Sequence, residues 1–343
     1  MTKAAPPDTA STSAAVERAV VKRPTNVEVT SSSPTKFGES VTFTASVTSG
    51  GTTVTGGTIR FLAGAEQVQA TTAVDANGQV TFTTSALPVG DTTVTAEYSG
   101  TAVYADASGN RVHSVDTTET TTTVKISAAA LTATVRAVAP GGGTPNGTVT
   151  FSVGDKPVGE AALVDGVATL AASLATGKPI DVHAAYSGSS NHLTSAAVTR
   201  RTDPAITARV QSSRAKSARG WYRTPVVVTF SCAAGSAPLT QPCPKPVKVT
   251  RSARAIPVVG TATATDGGAA KVKVTVNIDR KAPSLRVKRT GNRLRCQAKD
   301  TLSGIASCKI TKKNRAEGVV TWVAKAKDRA GNVTTKRGKF TKR

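Results

Sequence analysis

Residues 57–61 (GTIRF) decide the fold of this 343-residue chain, because they recur as residues 147–151 (GTVTF), 90 positions later. A second stretch, residues 98–100 (YSG), recurs as residues 186–188, 88 positions later. Between the repeats, apolar and polar residues alternate, which is typical of strands with one buried face. A period of this length with strand-like patterning predicts tandem β-sandwich modules.

Alternation of apolar and polar residues indicates strands even where the amino-acid composition suggests a helix. In residues 41–47 every second residue, beginning with Val41, is apolar. The alanine-rich residues 128–139 invite a helix assignment, but apolar residues alternate there with threonine, so a strand is predicted. Asn77-Gly78 marks a hairpin turn, since this pair tolerates the positive φ that such turns need. Aromatic residues make up only 4% of the chain, so each core must consist mainly of Val, Ala and Leu.

The net charge of +23 is confined to the second part of the chain. Residues 1–203 carry 13 Lys/Arg and 16 Asp/Glu, whereas residues 204–343 carry 31 and 5. This density exceeds what solubility requires and predicts attraction to polyanions. The alternative is a solvated surface that only prevents aggregation. The candidate polyanion-binding residues are Lys309, Lys312, Lys313, Arg315, Lys336, Arg337, Lys339, Lys342 and Arg343.

All four cysteines lie in the basic part, in two pairs of nearly equal spacing. Cys232 and Cys243 are 11 positions apart, and Cys296 and Cys308 are 12 apart. A Cys-x-x-Cys zinc knuckle is absent from the sequence, so two local disulfides are predicted, with free buried thiols as the alternative. Because disulfides persist in oxidising compartments, we expect a secreted or cell-surface protein.

The start of the chain carries no visible export signal. Residues 1–20 contain no apolar stretch resembling a signal-peptide core, and no run in the sequence is long enough for a transmembrane helix. We therefore expect either a start position placed too late or a processed piece. Residues 1–24 are rich in Ala, Pro, Ser and Thr and are predicted to be a disordered leader.

The repeated motifs, taken in order, resemble strands of bacterial immunoglobulin-like (Big) repeat domains. The resemblance covers residues 25–202 and rests on a middle-strand motif at 57–61 and 147–151, and on a closing Tyr-Ser-Gly followed by Tyr104 or His192. Residues 220–232 and Cys243-Pro244 resemble a related module with a local disulfide, and residues 279–283 resemble a linker between such modules. The resemblance implies secreted or surface-attached proteins that act as spacers or adhesive stalks.

The predicted architecture is all-β, with about four tandem immunoglobulin-like sandwiches after the disordered leader. We name them modules 1 to 4, at residues 25–116, 117–203, 204–279 and 280–343. The fourth is short, and the interpretation is a truncated sandwich leaning on the third.

Few residues carry a signal of chemistry. Trp221 and Trp322 are candidates for glycan stacking, with core packing as the alternative. Asp300 and Asp328 precede turns and are predicted to cap them; calcium near Asp279 is the alternative. Catalytic motifs such as Gly-x-Ser-x-Gly, His-Glu-x-x-His or a phosphate loop are absent from the sequence. We therefore expect no enzyme activity, cofactor or metal.

These observations predict a non-enzymatic extracellular or cell-surface spacer or adhesive stalk. Its basic C-terminal half would bind an anionic polymer, namely a cell-wall or host polysaccharide. Specific nucleic-acid binding is not expected, because no aromatic residues interleave with the cations. The alternative is a carbohydrate-binding accessory region of a larger secreted hydrolase. Tyr98 and Tyr186, at matching positions, are predicted to be structural, with buried rings and hydroxyls bonded to nearby backbone.

Overall fold

The computed structural model describes residues 1–4 and 21–342, and strands dominate this part of the chain. It contains 28 strands and one short 3-10 turn at Ala316–Gly318, and the all-β prediction is confirmed. Within the described ranges, no helix has the length and apolar character needed to cross a membrane. Residues 5–20, most of the predicted leader, lie outside the described residues, and so does Arg343.

Module 1 consists of two sheets around a core that contains four aromatic rings, those of Phe43, Phe61, Phe82 and Tyr98. One sheet joins β1, β3, β4 and β8, and the other joins β2, β10, β9, β5, β6 and β7. The alternation predicted for residues 41–47 is confirmed in β3. The strands are β1 Asn26–Thr30, β2 Thr35–Lys36, β3 Val41–Ser49, β4 Thr52–Thr53, β5 Thr58–Ala63, β6 Glu66–Gln67, β7 Thr72–Ala73, β8 Gln79–Thr84, β9 Gly90–Tyr98 and β10 Ala107–Asp116.

Module 2 repeats this plan with seven strands in two sheets, β11-β12-β15 and β14-β13-β16-β17. Its core contains Leu131, Phe151 and Tyr186. The alanine-rich segment forms β12, as predicted from its alternation with threonine. The strands are β11 Thr120–Ile126, β12 Ala130–Ala137, β13 Thr148–Val153, β14 Lys156–Ala162, β15 Val167–Ala171, β16 Ile180–Tyr186 and β17 Ser195–Arg201.

Module 3 has six strands in two three-stranded sheets, β18-β20-β21 and β19-β23-β22. Its buried core is aliphatic and is built from valines and isoleucines such as Val226, Val228 and Ile278. The strands are β18 Ala205–Ser212, β19 Trp221–Tyr222, β20 Val226–Ala233, β21 Val247–Val249, β22 Ala253–Thr263 and β23 Ala269–Ile278.

Module 4 has the thinnest core. A two-stranded sheet, β24-β25, faces a three-stranded sheet, β26-β27-β28. The buried cluster between them contains Leu285, Ala324 and Ala326, with half-buried neighbours around it. The strands are β24 Ser284–Thr290, β25 Arg293–Lys299, β26 Ile305–Asn314, β27 Val319–Asp328 and β28 Val333–Thr341.

Disulfides reinforce the two modules that have no large aromatic core. Cys232 is bonded to Cys243 in module 3, and Cys296 is bonded to Cys308 in module 4. Cys296 lies on β25 and Cys308 on β26, so the second bond joins the two sheets of module 4. Closing a loop of this size contributes about 3 kcal/mol in the chain-entropy model.

Candidate functional site

The two repeated tyrosines are structural, as predicted. Tyr98 and Tyr186 are each 2% exposed. The Tyr98 hydroxyl donates to the Gly56 carbonyl oxygen at 3.1 Å, and the Tyr186 hydroxyl donates to the Asn146 carbonyl oxygen at 2.6 Å. Burial raises the pKa of the Tyr98 phenol. Because both hydroxyls are already bonded to backbone, the repeated Tyr-Ser-Gly motif marks a fold element rather than a ligand site.

Two of the three histidines, His113 and His192, pack against phenylalanine rings. His113 is fully buried in module 1, with its Nε2 2.9 Å from Thr35 Oγ1 and its ring centre 5.3 Å from that of Phe43. His192, in module 2, donates from Nε2 to the Gly142 carbonyl oxygen at 3.1 Å. Its ring meets Phe37 of module 1 edge-on at 5.5 Å. His192 therefore belongs to the contact between modules 1 and 2.

Three carboxylates meet where module 3 joins module 4. One oxygen from each of Asp279, Asp300 and Asp328 lies within 4.8 Å of the others. Asp279 and Asp328 are buried and Asp300 is half-buried. The Asn332 amide bridges two of these residues, since its Nδ2 donates to the backbone carbonyl oxygen of Asp279 at 2.9 Å and to Asp328 Oδ2 at 2.8 Å.

The same carboxylates cap the neighbouring turns, which confirms the prediction for two of them. Asp300 Oδ1 accepts the backbone N–H of Gly304 at 2.7 Å, and Asp328 Oδ1 accepts that of Gly331 at 2.7 Å. Calcium takes six or more oxygen ligands, and calcium near Asp279 stays the alternative that the sequence left open. The hydrogen bonds define the cluster as a junction contact.

The junction of modules 2 and 3 carries a charge arrangement that sequence reasoning missed. Arg201 is 1% exposed, its Nη2 lies 3.5 Å from Asp203 Oδ1, and it donates to the Ala175 carbonyl oxygen. Across the junction, the Thr202 backbone N–H donates to Ser236 Oγ at 2.9 Å. The only sequence signal was an arginine at a strand end followed two residues later by an aspartate.

The tryptophans occupy different environments. Trp221 is 6% exposed, and the guanidinium carbon of Arg254 lies 5.6 Å from its ring centre. This position lacks the exposed ring face that glycan stacking needs, so packing accounts for Trp221. Trp322 is half-buried against the core of module 4, and a Cβ atom at Gly338 would overlap its indole. Stacking on Trp322 stays a prediction.

The predicted basic residues do not form a single surface. Strand register places Lys312 opposite Trp322 and Lys336 opposite Ala324, so both point to the side that faces β24 and β25. Lys312 Nζ donates to the Asn292 carbonyl oxygen at 3.2 Å. Arg315 lies in the loop after β26, and Lys342 follows β28.

The other side of the three-stranded sheet gathers six cations, which we call the lysine face. Lys309, Lys313, Arg337 and Lys339 were predicted, whereas sequence reasoning missed the two cations of β27. Their signal was the alternation of lysine with buried alanine in residues 324–327. All six side chains are exposed, and none makes a hydrogen bond or ion pair with another described residue. The lysine face consists of Lys309, Lys313, Lys325, Lys327, Arg337 and Lys339.

The family model of the bacterial Ig-like domain (group 3) matches residues 28–118 and 114–203. Together the matches span just over half of the chain, so the chain belongs to this family of bacterial immunoglobulin-like repeat proteins. The resemblance stated from the sequence motifs is thereby confirmed. No curated protein sequence matches the chain.

Several solved structures match most of the chain at low identity and low TM-score. Invasin, a bacterial integrin-binding protein, is 14% identical over 91% of this chain and 78% of its own, with a TM-score of 0.39. A tetra-tandem repeat from the extending region of a large adhesion protein is 15% identical over 94% of this chain and 99% of its own, with a TM-score of 0.32. Similarities of this size carry no conclusion about what the chain binds.

Proposed function

We propose that this protein is a non-enzymatic extracellular or cell-surface spacer or adhesive stalk. Its basic modules 3 and 4 bind an anionic polysaccharide of a cell wall or host surface. Four separate cores in series support the spacer role, because each added module lengthens the chain without a new architecture. The two disulfides support an oxidising, extracellular location.

One observation supports polyanion binding: among the described residues, the cations after residue 203 form no ion pairs. All four ion pairs between described residues lie before residue 204. Residues 204–343 contain 31 Lys/Arg against five Asp/Glu, and three of those acids, Asp266, Asp279 and Asp328, are buried. A polyanion carries condensed small cations that such a surface releases on binding, which favours association at low salt.

The alternative, a carbohydrate-binding accessory region of a larger secreted hydrolase, needs exposed aromatic rings for neutral sugars. Trp221 is buried, so this alternative loses one of its two candidate residues. It predicts binding to neutral glycans that survives high salt. The anionic-polymer proposal predicts the opposite salt dependence.

The test compares retention of residues 1–203 and 204–343 on an immobilised anionic polysaccharide. Each half contains two cores of its own, and circular dichroism checks that each half is folded. We expect the basic half to bind at low salt and to elute as salt rises, while the other half passes through. Equal retention of the two halves would contradict the proposal.

A further inference from the structure

We propose that the lysine face of module 4 binds a phosphodiester-linked polyol chain, the chemistry of a teichoic-acid-type wall polymer, with the chain lying along the strands. This inference rests on the proposed function of the basic half. It assigns a site and a ligand class to that function. Four steps carry it: the register of the cations, their lack of partners, their spacing, and the side chains between them.

Strand register places the six cations in four consecutive rows that cross the sheet. Residues directly opposite each other on paired strands point to the same side. Each row runs from β26 through β27 to β28. The first row contains Ser307, Lys327 and Val333, and the second contains Lys309, Lys325 and Thr335. The third row contains Thr311, Val323 and Arg337, and the fourth contains Lys313, Thr321 and Lys339. Each row therefore presents at least one cation to solvent.

The face has no internal counter-charge. None of the twelve residues in these rows is acidic, and no ion pair joins described residues after Asp203. Of the three acids in module 4, Asp300 and Asp328 belong to the junction cluster, and Glu317 lies in the 3-10 turn. Lys309 stands directly opposite Lys325, an arrangement that is unfavourable in the absence of an anion.

The spacing of the rows indicates a linear ligand with regularly repeated charge. Consecutive rows are two residues apart, which is about 6.8 Å along an antiparallel strand. Two residues of strand and one glycerol phosphate unit each span about six backbone bonds, so their extended repeats are similar. A phosphodiester chain lying along β27 would therefore place a phosphate near a cation at every row.

The side chains of the face suit a chain in which phosphates alternate with carbon segments. Five of the six cations are lysines, which bind phosphate as point charges. Between the cations, Thr311, Val323 and Val333 line the same shallow groove and offer methyl groups to the carbon segments of a polyol. The rows contain no aromatic residue on which nucleic-acid bases could stack, which disfavours a single-stranded nucleic acid.

The experiment measures binding of the full chain to poly(glycerol phosphate), heparin and oligo(dT) across a salt series. The test variant carries Lys309→Gln, Lys325→Gln, Lys327→Gln and Arg337→Gln. The control variant removes the same charge from the outer side of the β24-β25 hairpin, by Arg286→Gln, Lys288→Gln, Arg295→Gln and Lys299→Gln. A milder variant, Lys325→Gln with Lys327→Gln, is measured in parallel in case the fourfold variant does not fold, which thermal unfolding would reveal.

We expect the full chain to prefer poly(glycerol phosphate). The test variant should bind it about 100-fold more weakly at 0.1 M salt, with a salt slope shallower by about 3, since each lost contact lowers the slope by roughly 0.7 to 0.9. The control variant should change the slope by less than about 1, because its cations lie off the ligand path. The milder variant should lose about half as much slope as the test variant.

Three results would overturn the inference in different ways. Equal losses for the test and control variants would remove the lysine face as the site while leaving the proposed function intact. Tighter binding of heparin or oligo(dT), lost in the test variant, would keep the site and reject the phosphodiester polyol as its ligand. Failure of the full chain to bind any of the three polymers at low salt would reject the proposed function itself.

Discussion

The first two modules and the last two reach the same fold by different means. In modules 1 and 2, fully buried phenylalanines such as Phe61 and Phe151 fill the space between the sheets, and the surface is nearly neutral with paired charges. In module 4, small residues fill the core, and a disulfide joins the sheets instead. The cations of modules 3 and 4 have no ion-pair partner among the described residues.

This difference shows where each half obtains its stability. A module with a large buried core obtains its stability from that core, and its surface carries the usual mixture of paired charges. A small module has less apolar area to bury, so a covalent link contributes a larger share of its stability. With the sheets joined in this way, module 4 can carry a surface of like charges that a thin core alone would support poorly. Its exposed residues are then available for a ligand.

Loss of a core aromatic ring should lower the free energy of unfolding by more than any other change considered below. Phe151 is 0% exposed, so Phe151→Ala removes a filled core volume in module 2. We expect a loss of about 3 to 5 kcal/mol in unfolding free energy, measured by urea denaturation of the full chain. The matched control, Val158→Ala in the same module, changes an exposed side chain and should change stability by less than about 0.5 kcal/mol. Similar effects of the two would contradict the role of the ring.

Removal of the sheet-joining disulfide should have the next largest effect, and only in module 4. Cys296→Ser with Cys308→Ser should lower the stability of that module by about 3 kcal/mol. Limited proteolysis followed by mass spectrometry would locate the cleavage. We expect new cleavage after residue 280 and unchanged protection of modules 1 and 2. General loss of protection along the chain would show that the modules do not unfold independently.

A single hydroxyl should have a smaller effect. Tyr98→Phe removes the donor to the Gly56 carbonyl oxygen and should lower the stability of module 1 by about 1 kcal/mol. Tyr186→Phe should do the same in module 2, where the acceptor is the Asn146 carbonyl oxygen. Tyr104→Phe serves as the control, because its hydroxyl makes no hydrogen bond with a described residue. If none of the three substitutions changed the stability, burial of the tyrosine ring, and not its hydroxyl, would explain the stabilising role of the motif.

The smallest expected effect is a dependence of stability on pH, and it should be confined to module 1. Burial, with a further contribution from Arg111, lowers the pKa of His113, while Glu39 opposes the shift. The unfolded chain therefore binds a proton more readily than the folded one. Stability is complete above about pH 6.5 and falls as the pH drops through that value toward the folded pKa.

Thermal unfolding of the full chain between pH 7.5 and 5.5 would check this dependence. His113→Gln should flatten the response of module 1. Modules 3 and 4 contain no histidine, so their transitions should be insensitive to this range. A response that persists in His113→Gln would assign the dependence to other groups.

The sequence predicted the fold well because strand patterning is local. Alternation identified β3 and β12, and the repeated Tyr-Ser-Gly motif begins at the last residue of β9 and of β16. Among the longer strands of modules 1 and 2, sequence reasoning missed β10, β14 and β17, so the motif does not lie in the closing strands as predicted. In β10 the alternation is hidden, because a histidine, His113, occupies a fully buried position while Val112 is 53% exposed. Only the surrounding core shows which side of that strand is inside.

The candidate site was less predictable because it depends on register between strands. Lys309 and Lys312 are three positions apart, and without the pairing to β27 nothing shows that they lie on opposite sides of the sheet. The same pairing adds Lys325 to the face directly opposite Lys309. Charge density along the chain therefore indicates which modules are basic, whereas the grouping of the charges on one side of the sheet required the strand register.

The bond between Cys296 and Cys308 also limits how far module 4 can be drawn out under tension. The residues that it encloses cannot extend when the chain is pulled from its ends, which shortens the stretched length of the module by about 35 Å. Force instead passes from β25 to β26 through the sulfur atoms. If an anchored ligand holds the lysine face, part of the force between that ligand and module 3 is carried by the covalent bond between Cys296 and Cys308.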